Sequence, residues 1–544
     1  MILKEPTGCW DAEADIVIVG FGGAGASAAL EAAQRGASVL VLERFHGGGA
    51  TAISGGVIYA GGGTPYQEAA GYEDTVEDMF NYLREEVSDA MGDQTLHRFC
   101  EGSREDLRWL AEAGVPFGST LCPFKTSYPT NNYCLYFSGS ENNGIYKAKA
   151  KPAPRGHRVK GKGLTGPVLF RAIAREIKKH SNIKVRCQTH VLKLLQDDDG
   201  GVIGVEGLSI PANSILRPLH SGFTRMSAKV NTYLPPLGQL FNSIANVIFR
   251  VSARPYRARA RKGVILAAGG FIFNRKMVRK YNRAYLRCMP LGTYGDDGSG
   301  IALGESVGGA TSHMDRMSAW RFYVPPEALI QGILVNQEGQ RICSEDLYGG
   351  RQGDYIVSRG GGKAYLIFDS KTYNKAKAEL WSQCTLFQKL TMIPMLLLNR
   401  KKASSLEKLA FKIGVRYDGL LKTVNEYNET ARSGKPDPLG KAHEYFVPQD
   451  TPPFYALDCS LYGISLLRFG LPAAAITLGG LVVDEETGQV KRKDGSVIKG
   501  LYAAGRNAVG LCSDSYFASG SSIADCIFSG RRAARHASSL PYHQ

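Results

Sequence analysis

Three stretches of the sequence predict an α/β fold in which a split parallel-sheet domain is interrupted by an inserted α+β domain. Residues 15–43, DIVIVGFGGAGASAALEAAQRGASVLVLE, read as a strand, a glycine turn, a helix and a second strand ending in an acid. A later apolar strand, KGVILAAGGF, again opens onto paired glycines, Gly269 and Gly270. After Pro453 small residues return in TLGGL, GLYAAGR and SYFASGSSIADCIFSGRRAARHA, a strand, a glycine turn and a closing helix. The split domain is therefore expected over residues 1–275 and 449–544, and the inserted domain over 276–448.

Ile16 to Val19 form the continuous apolar run of a parallel strand covered on both faces. Gly20, Gly22 and Gly25 match G-x-G-x-x-G. The first glycine makes the tight turn, the second admits a pyrophosphate against the backbone, and the third lets helix and strand pack closely. Free N–H groups and the dipole at the helix start favour that anion. Glu43 ends the next strand about where a carboxylate accepts from a ribose hydroxyl, and an acid there disfavours NADP. This stretch alone leaves NAD and FAD open.

RFHGGGATAISGGVIYAGGGTP follows. Each glycine in a helix costs about 1 kcal/mol relative to alanine, so this run reads as a loop approaching a large flat ligand. The Thr51 and Ser54 hydroxyls are candidates for its phosphate or ring atoms. Residues 74–114 show helical periodicity, and Thr165 to His180 form a helix with an early proline and a basic end. KVRCQTHVLKLLQ, DDDGG and VIGVEGL make a strand, a turn and a strand.

At 544 residues, 44% of them hydrophobic, the chain suits two globular domains. Residues 1–15 are polar, so no secretory leader is expected, and no apolar window is long enough for a transmembrane helix. Eleven cysteines without C-x-x-C spacing argue against disulfides or a metal site and for a reducing cytoplasm. The net charge is +16, and nine Lys or Arg residues without an acid lie between Pro211 and Lys262. That insert, residues 210–261, contains LPPLGQLFNSIANVIFRV and RPYRARAR. It reads either as a surface seated among anionic headgroups at the inner face of a membrane, or as a packed helical excursion with a solvated basic edge. A second apolar and basic run, LFQKLTMIPMLLLNRKKASSLEKLAF, either joins that patch or is buried. No nucleic-acid module accompanies the charge, so no nucleic-acid partner is expected.

The fingerprint, GGATAISGG, VILAAGGF, the GILVN…GQR…ED segment, TLGGL, GLYAAGR and SIADCIFSGRRAA together resemble the flavoprotein family of fumarate reductase and the 3-ketosteroid dehydrogenases. The resemblance implies a discontinuous Rossmann-type FAD-binding domain, three-layer ββα, with an inserted α+β catalytic domain. It implies non-covalent FAD held by Gly20, Gly22, Gly25, Glu43, Arg44, Thr51, Ser54, Gly55, Gly56, Val191, Gly269, Gly505, Arg506, Ser522 and Ile523. GGVIYAGGGTP looks most like the enzymes acting at carbons 4 and 5 of 5α-steroids. A steroid or other hydrophobic ketone and an external electron acceptor are the implied partners. Action at carbons 1 and 2, a soluble fumarate-type reductase and a membrane-peripheral flavin electron carrier are the alternatives. TLGGL lacks the nearby histidine of a dicarboxylate clamp.

Carried onto this chain, the family's tyrosine after R-x-x-x-E-D falls on Tyr348 in RICSEDLYGG, and its C-terminal partner on Tyr516. The related pattern runs S-Y-x-S-G, whereas SYFASG is one residue longer, which shifts the serine to Ser519. Desaturation beside a ketone needs proton loss from the α carbon and hydride loss from the β carbon. A phenol and a backbone N–H on the carbonyl oxygen stabilise the enolate, at about 3–4 kcal/mol per donor. Tyr516 is assigned that role. Tyr348, made more acidic by its surroundings, is assigned as general base with Ser519 as relay. Tyr128, Tyr133 and Tyr136 lie in an aromatic stretch without a motif to rank them.

Overall fold

The structure is a computed structural model that describes residues 10–231, 234–321, 323–461 and 473–542. Most of the segment read for a leader, residues 1–9, lies outside the described residues. β1 (Ala12–Val19), α1 (Gly23–Gln34) and β2 (Val39–Glu43) form where the fingerprint predicts them. β1 is central in the main sheet, parallel to β2 on one side and to the long strand Arg254–Leu266 on the other. Strand Ile183–Cys187 extends the sheet beyond β2, and Val497–Ala503 extends it beyond Leu266. Residues late in the chain thus complete the sheet that the N-terminus begins.

Burial on both faces explains the apolar run. Ile16 and Ile18 pack into one core with α1 and the closing helix Ser521–Ser539, while Val17 and Val19 face a second core with Val191, Leu194 and Val205. Each such side chain contributes about 1.5–3 kcal/mol. The closing helix lies on α1 through small residues: a Cβ on Gly530 would stand 2.5 Å from the Ala24 carbonyl oxygen. Arg531 and Arg535 then pair with Glu31 of α1 at 2.7 and 2.9 Å.

Strands Thr189–Gln196 and Val202–Ser209 form an antiparallel meander with the start of Arg254–Leu266. This corrects the reading of RPYRARAR as a flank of a lipid-seated segment. Tyr256, Ala258 and Ala260 alternate into the core, and Arg257, Arg259 and Arg261 pair with Glu206, Glu13 and Asp15. The insert is therefore shorter than 210–261. It consists of two helices, Arg217–Asn231 and Pro235–Ser252, between paired strands.

The second unit carries its own antiparallel sheet, in which Tyr365–Phe368 lies between Ile333–Val335 and Phe454–Asp458, with Lys401–Ala403 outermost. The expected boundary at 448 cuts this sheet, because Phe454–Asp458 lies beyond it. Among the described residues no helix is long and apolar enough to cross a membrane.

Candidate functional site

The turn after β1 is shaped by three glycines in three ways. Gly20 takes φ +103°, and a Cβ there would meet the Ala267 carbonyl oxygen at 2.5 Å. A Cβ on Gly25 would fall 2.0 Å from the Gly20 carbonyl oxygen, so only glycine lets α1 lie against β1. Gly22 differs, since a Cβ there would find only the Gly48 carbonyl oxygen, at 3.9 Å. The open side of Gly22 faces a cleft. α1 begins beside it with neither a side-chain cap nor an acid in its first turn, leaving the helix dipole for an anion.

Gly20, Gly22, Glu43, Arg44, Thr51, Val191, Gly269 and Arg506 line this cleft. Thr51 accepts the Gly23 N–H at 3.0 Å, so its own proton remains available. Glu43 accepts the N–H groups of Phe21 and Phe45 at 2.8 and 2.7 Å, which holds the turn while each oxygen keeps a second lone pair. Burial raises its pKa in spite of those donors and Arg44. Arg44 pairs with Asp297 at 2.5 Å and Arg506 with Asp296 at 2.7 Å. Asp296 also accepts from the Gly270 and Thr293 N–H groups at 3.2 and 2.8 Å. Its carboxylate sets the loop that includes Gly269, and sequence reasoning missed it although GDDGSG carried the signal.

The remaining expected cofactor residues stand behind the lining. Ser54 donates to the Thr51 carbonyl at 2.8 Å and accepts the Gly56 N–H at 3.1 Å, so its hydroxyl serves its own turn. A Cβ on Gly55 would strike the Tyr128 ring at 2.7 Å, and Gly56, at φ +63°, packs on Thr165. Gly505 is pressed against Ala24 and Cys526. Ser522 and Ile523 form the first turn of the closing helix, with Ile523 against the core. The lining has an open backbone cradle, a helix start without an acid in its first turn and a carboxylate at the end of β2. These are the donors and shape that a dinucleotide such as FAD requires.

A second group of side chains meets around Tyr348, at the start of helix Gly349–Gly360. The preceding acids fix its loop. Glu345 pairs with Arg341 at 2.7 Å and with Lys441 at 2.8 Å. Asp346 accepts from Asn143, Ser344 and the Ala442 N–H at 2.8, 2.7 and 2.8 Å. Tyr348 N–H donates to Ser140 Oγ at 3.0 Å, and Ser519 N–H donates to the Ser138 carbonyl at 2.9 Å. One short loop therefore anchors both expected residues, and the extra residue in SYFASG does not carry Ser519 away.

Tyr516 stacks on Trp320, centroids 5.1 Å apart, and meets the Tyr348 ring at 5.9 Å. A Cβ on Gly350 would stand 2.2 Å from the Tyr516 carbonyl oxygen, which explains a glycine there. Burial raises the pKa of the Tyr516 phenol, with the Gly520 N–H beside it pulling the other way. Tyr136 joins the group. Its hydroxyl is buried without a hydrogen bond of good geometry among the described residues. Burial pushes the pKa of Tyr348 and of Tyr136 well above the ordinary tyrosine range, while the Ser519 hydroxyl beside both lowers them. The expectation that its surroundings make Tyr348 more acidic is thus corrected: desolvation outweighs the hydrogen bond.

Comparison with known proteins adds three relatives and a family. The family described as FAD binding domain matches residues 15–523. The chain is 36% identical over 514 residues to the 3-oxo-5-alpha-steroid 4-dehydrogenase of Comamonas testosteroni, covering 91% of this chain and 93% of that protein. It is 28% identical to a 3-oxosteroid 1-dehydrogenase of Mycobacterium tuberculosis, covering 96% and 98%. Its structure matches that of a 3-ketosteroid-delta4-(5alpha)-dehydrogenase from Rhodococcus jostii RHA1, solved with 4-androstene-3,17-dione. The TM-score is 0.81, with 32% identity and 98% of each chain covered.

Proposed function

The chain belongs to the FAD binding domain family of flavoproteins, and from that premise we propose that it is an FAD-dependent 3-ketosteroid dehydrogenase desaturating the 4,5 bond of a 5α-3-ketosteroid. The observation that carries this reading is the convergence of Tyr516, the Gly520 N–H, Tyr348 and Ser519. When bound, FAD supplies the two-electron acceptor for the hydride leaving carbon 5.

The phenol of Tyr516 and the Gly520 N–H donate to the 3-keto oxygen and stabilise negative charge as the α proton leaves. Trp320, stacked on Tyr516, holds that phenol in plane. Tyr348 takes the proton from carbon 4. Its active state has one proton fewer shared across Tyr348, Ser519 and Tyr136, a coupled group rather than a single titrating phenol. Phenols, an indole and a hydroxyl suit a neutral ketone better than a dicarboxylate. An external acceptor restores the oxidised cofactor.

The direct test is turnover of a saturated 5α-3-ketosteroid against a 4-ene-3-ketosteroid, with a dye as acceptor. A 4-ene product from the first supports the reading. Product from the second substrate alone would transfer the assignment to carbons 1 and 2.

The outer face of the insert adds a partner. Leu219, Met226, Leu237, Leu240, Val247 and Val251 are exposed, among Arg217, Arg225, Lys229, Arg250 and Arg254. Apolar side chains ringed by cations and free of acids suit a peripheral seat on anionic lipid.

A further inference from the structure

We propose that the two-helix insert is a lid that closes the adenosine end of the FAD cleft. The inference rests on FAD occupying this cleft and goes beyond the catalytic reading, which needs no lid.

The insert is amphipathic with its polar side inward. Helix Arg217–Asn231 buries His220, Thr224, Ser227 and Asn231, a four-three-four spacing that lies on one helix face. Helix Pro235–Ser252 buries only Gly238, Ala245 and Ser252, the seam against its neighbour. A Cβ on Gly238 would stand 2.7 Å from the Asn231 Cα, so the two helices touch backbone to backbone. Ser227 O–H donates to the Gly238 carbonyl of the neighbouring helix at 2.8 Å and the His220 ring packs on Phe249, so the seam takes up these two, while Thr224 and Asn231 turn toward what lies beneath.

What lies beneath is the cleft. Thr224, Ser227, Ala228, Asn231 and Asn242 line the same cavity as Gly22 and Glu43. The lid is pinned at both rims, by the His46 ring on Thr224 Oγ1 at 3.3 Å and by Tyr294 O–H donating to Asn231 Oδ1 at 3.1 Å. The start of α1 beside Gly22 marks the pyrophosphate, and Glu43 marks the ribose, so the side with His46 and Thr224 is the adenosine side. Its histidines are neutral: burial pushes the pKa of His46 and His190 down to about 4. Amides, hydroxyls and neutral imidazoles fit a purine and its ribose, and the Arg44 guanidinium on this side is held by Asp297.

The sheet does not need the lid. Ser209 and Arg254 are partners across the antiparallel pair, so the insert replaces what a short turn could connect.

The test compares FAD with FMN, which shares the flavin but lacks adenosine. The full chain, the Thr224→Val and Asn231→Leu variants, and a chain with residues 211–252 replaced by a short turn are stripped of flavin and titrated by fluorescence. The lid variants are expected to bind FAD at least tenfold more weakly and FMN with unchanged affinity. FAD affinity within twofold of the parent, or an equal loss for FMN, would overturn the proposal. Gly22→Val probes the cleft itself, and FAD affinity unchanged in that variant would remove FAD from the cleft and the lid with it. None of these readings requires a steroid, so failure of the catalytic assignment is seen separately.

Discussion

The rings of Tyr348 and Tyr516 meet at 60° with centroids 5.9 Å apart, one just before helix Gly349–Gly360 and one just before the closing helix Ser521–Ser539. Both pack on strand Met317–Trp320, Tyr516 by stacking on Trp320 and the helix after Tyr348 through Gly353, where a Cβ would stand 1.7 Å from the Ala319 carbonyl oxygen. Each tyrosine is fixed from behind, Tyr348 by Ser140 and Tyr516 by Trp320. Under the proposed function, two phenols so placed serve the α proton and the keto oxygen of one substrate.

Tyr516→Phe removes one donor to the keto oxygen and keeps the stack on Trp320. The expected loss in kcat is about 10²–10³-fold. FAD content, read from the flavin spectrum, is expected to stay at the parent value. A variant that still reduces flavin at the parent rate with a 5α-3-ketosteroid would show that Tyr516 carries no oxyanion charge, and would favour a carrier without desaturase activity.

Burial raises the pKa of Tyr348, so the deprotonated active state is scarce at neutral pH. The rate should therefore rise with pH on the alkaline limb, by about tenfold per unit below the apparent pKa. Ser519 lowers the pKa of both phenols beside it. Ser519→Ala should then move the limb to higher pH, with activity depressed at pH 7 and partly recovered at pH 9. A uniform loss at every pH would make Ser519 a packing residue.

The dinucleotide turn was legible because each glycine answers to a local constraint, and Gly20, Gly22 and Gly25 behave as their spacing implies. Tyr348 and Tyr516 were legible only through family motifs, since no periodicity marks a tyrosine as reactive. Tyr136 had neither. RPYRARAR was misread because the partners of its arginines, Glu206, Glu13 and Asp15, are remote in sequence. The insert showed its apolar stripe plainly, but which side of a helix turns inward depends on what it covers. Thr224, Ser227 and Asn231 give no sign in the sequence that they face a cleft.

Substitutions in the turn should separate folding from binding. Gly25→Ala places a Cβ 2.0 Å from a carbonyl oxygen and should destabilise the protein by about 1–3 kcal/mol, seen as a lower Tm of the apoprotein. Gly22→Ala meets nothing closer than 3.9 Å and should leave apoprotein Tm unchanged while weakening FAD. Equal Tm losses would remove the distinction between a packing glycine and a cradle glycine.

Acid should loosen the adenosine end. His46, His190 and His220 have folded pKa values of about 4 against 6.5 when unfolded. The unfolded chain binds more protons between those values, so their contribution is complete above pH 6.5 and is lost as pH falls toward 4. Each histidine costs up to about 2 kcal/mol between pH 6.5 and 5. FAD release on dialysis should thus accelerate from pH 7 to pH 5, and His46→Gln should flatten the dependence. Release independent of pH over this range would contradict the buried, neutral histidines.

The exposed face of the insert makes the last prediction. Leu240, Val247 and Val251 are 53%, 58% and 61% exposed, an arrangement that water disfavours and lipid accepts. Of the nine basic residues in this region, Arg257, Arg259 and Arg261 are engaged by acids of the sheet. Arg217, Arg225, Lys229, Arg250 and Arg254 form no ion pair among the described residues, and each contributes about 1 kcal/mol near an anionic surface. Purified protein should therefore sediment with vesicles containing anionic lipid, less with neutral ones, and less again at high salt. Leu240→Glu with Val247→Glu should abolish sedimentation while leaving FAD content intact, because both side chains point away from the cleft-lining face. Equal sedimentation of parent and double variant would assign the apolar face to something other than lipid.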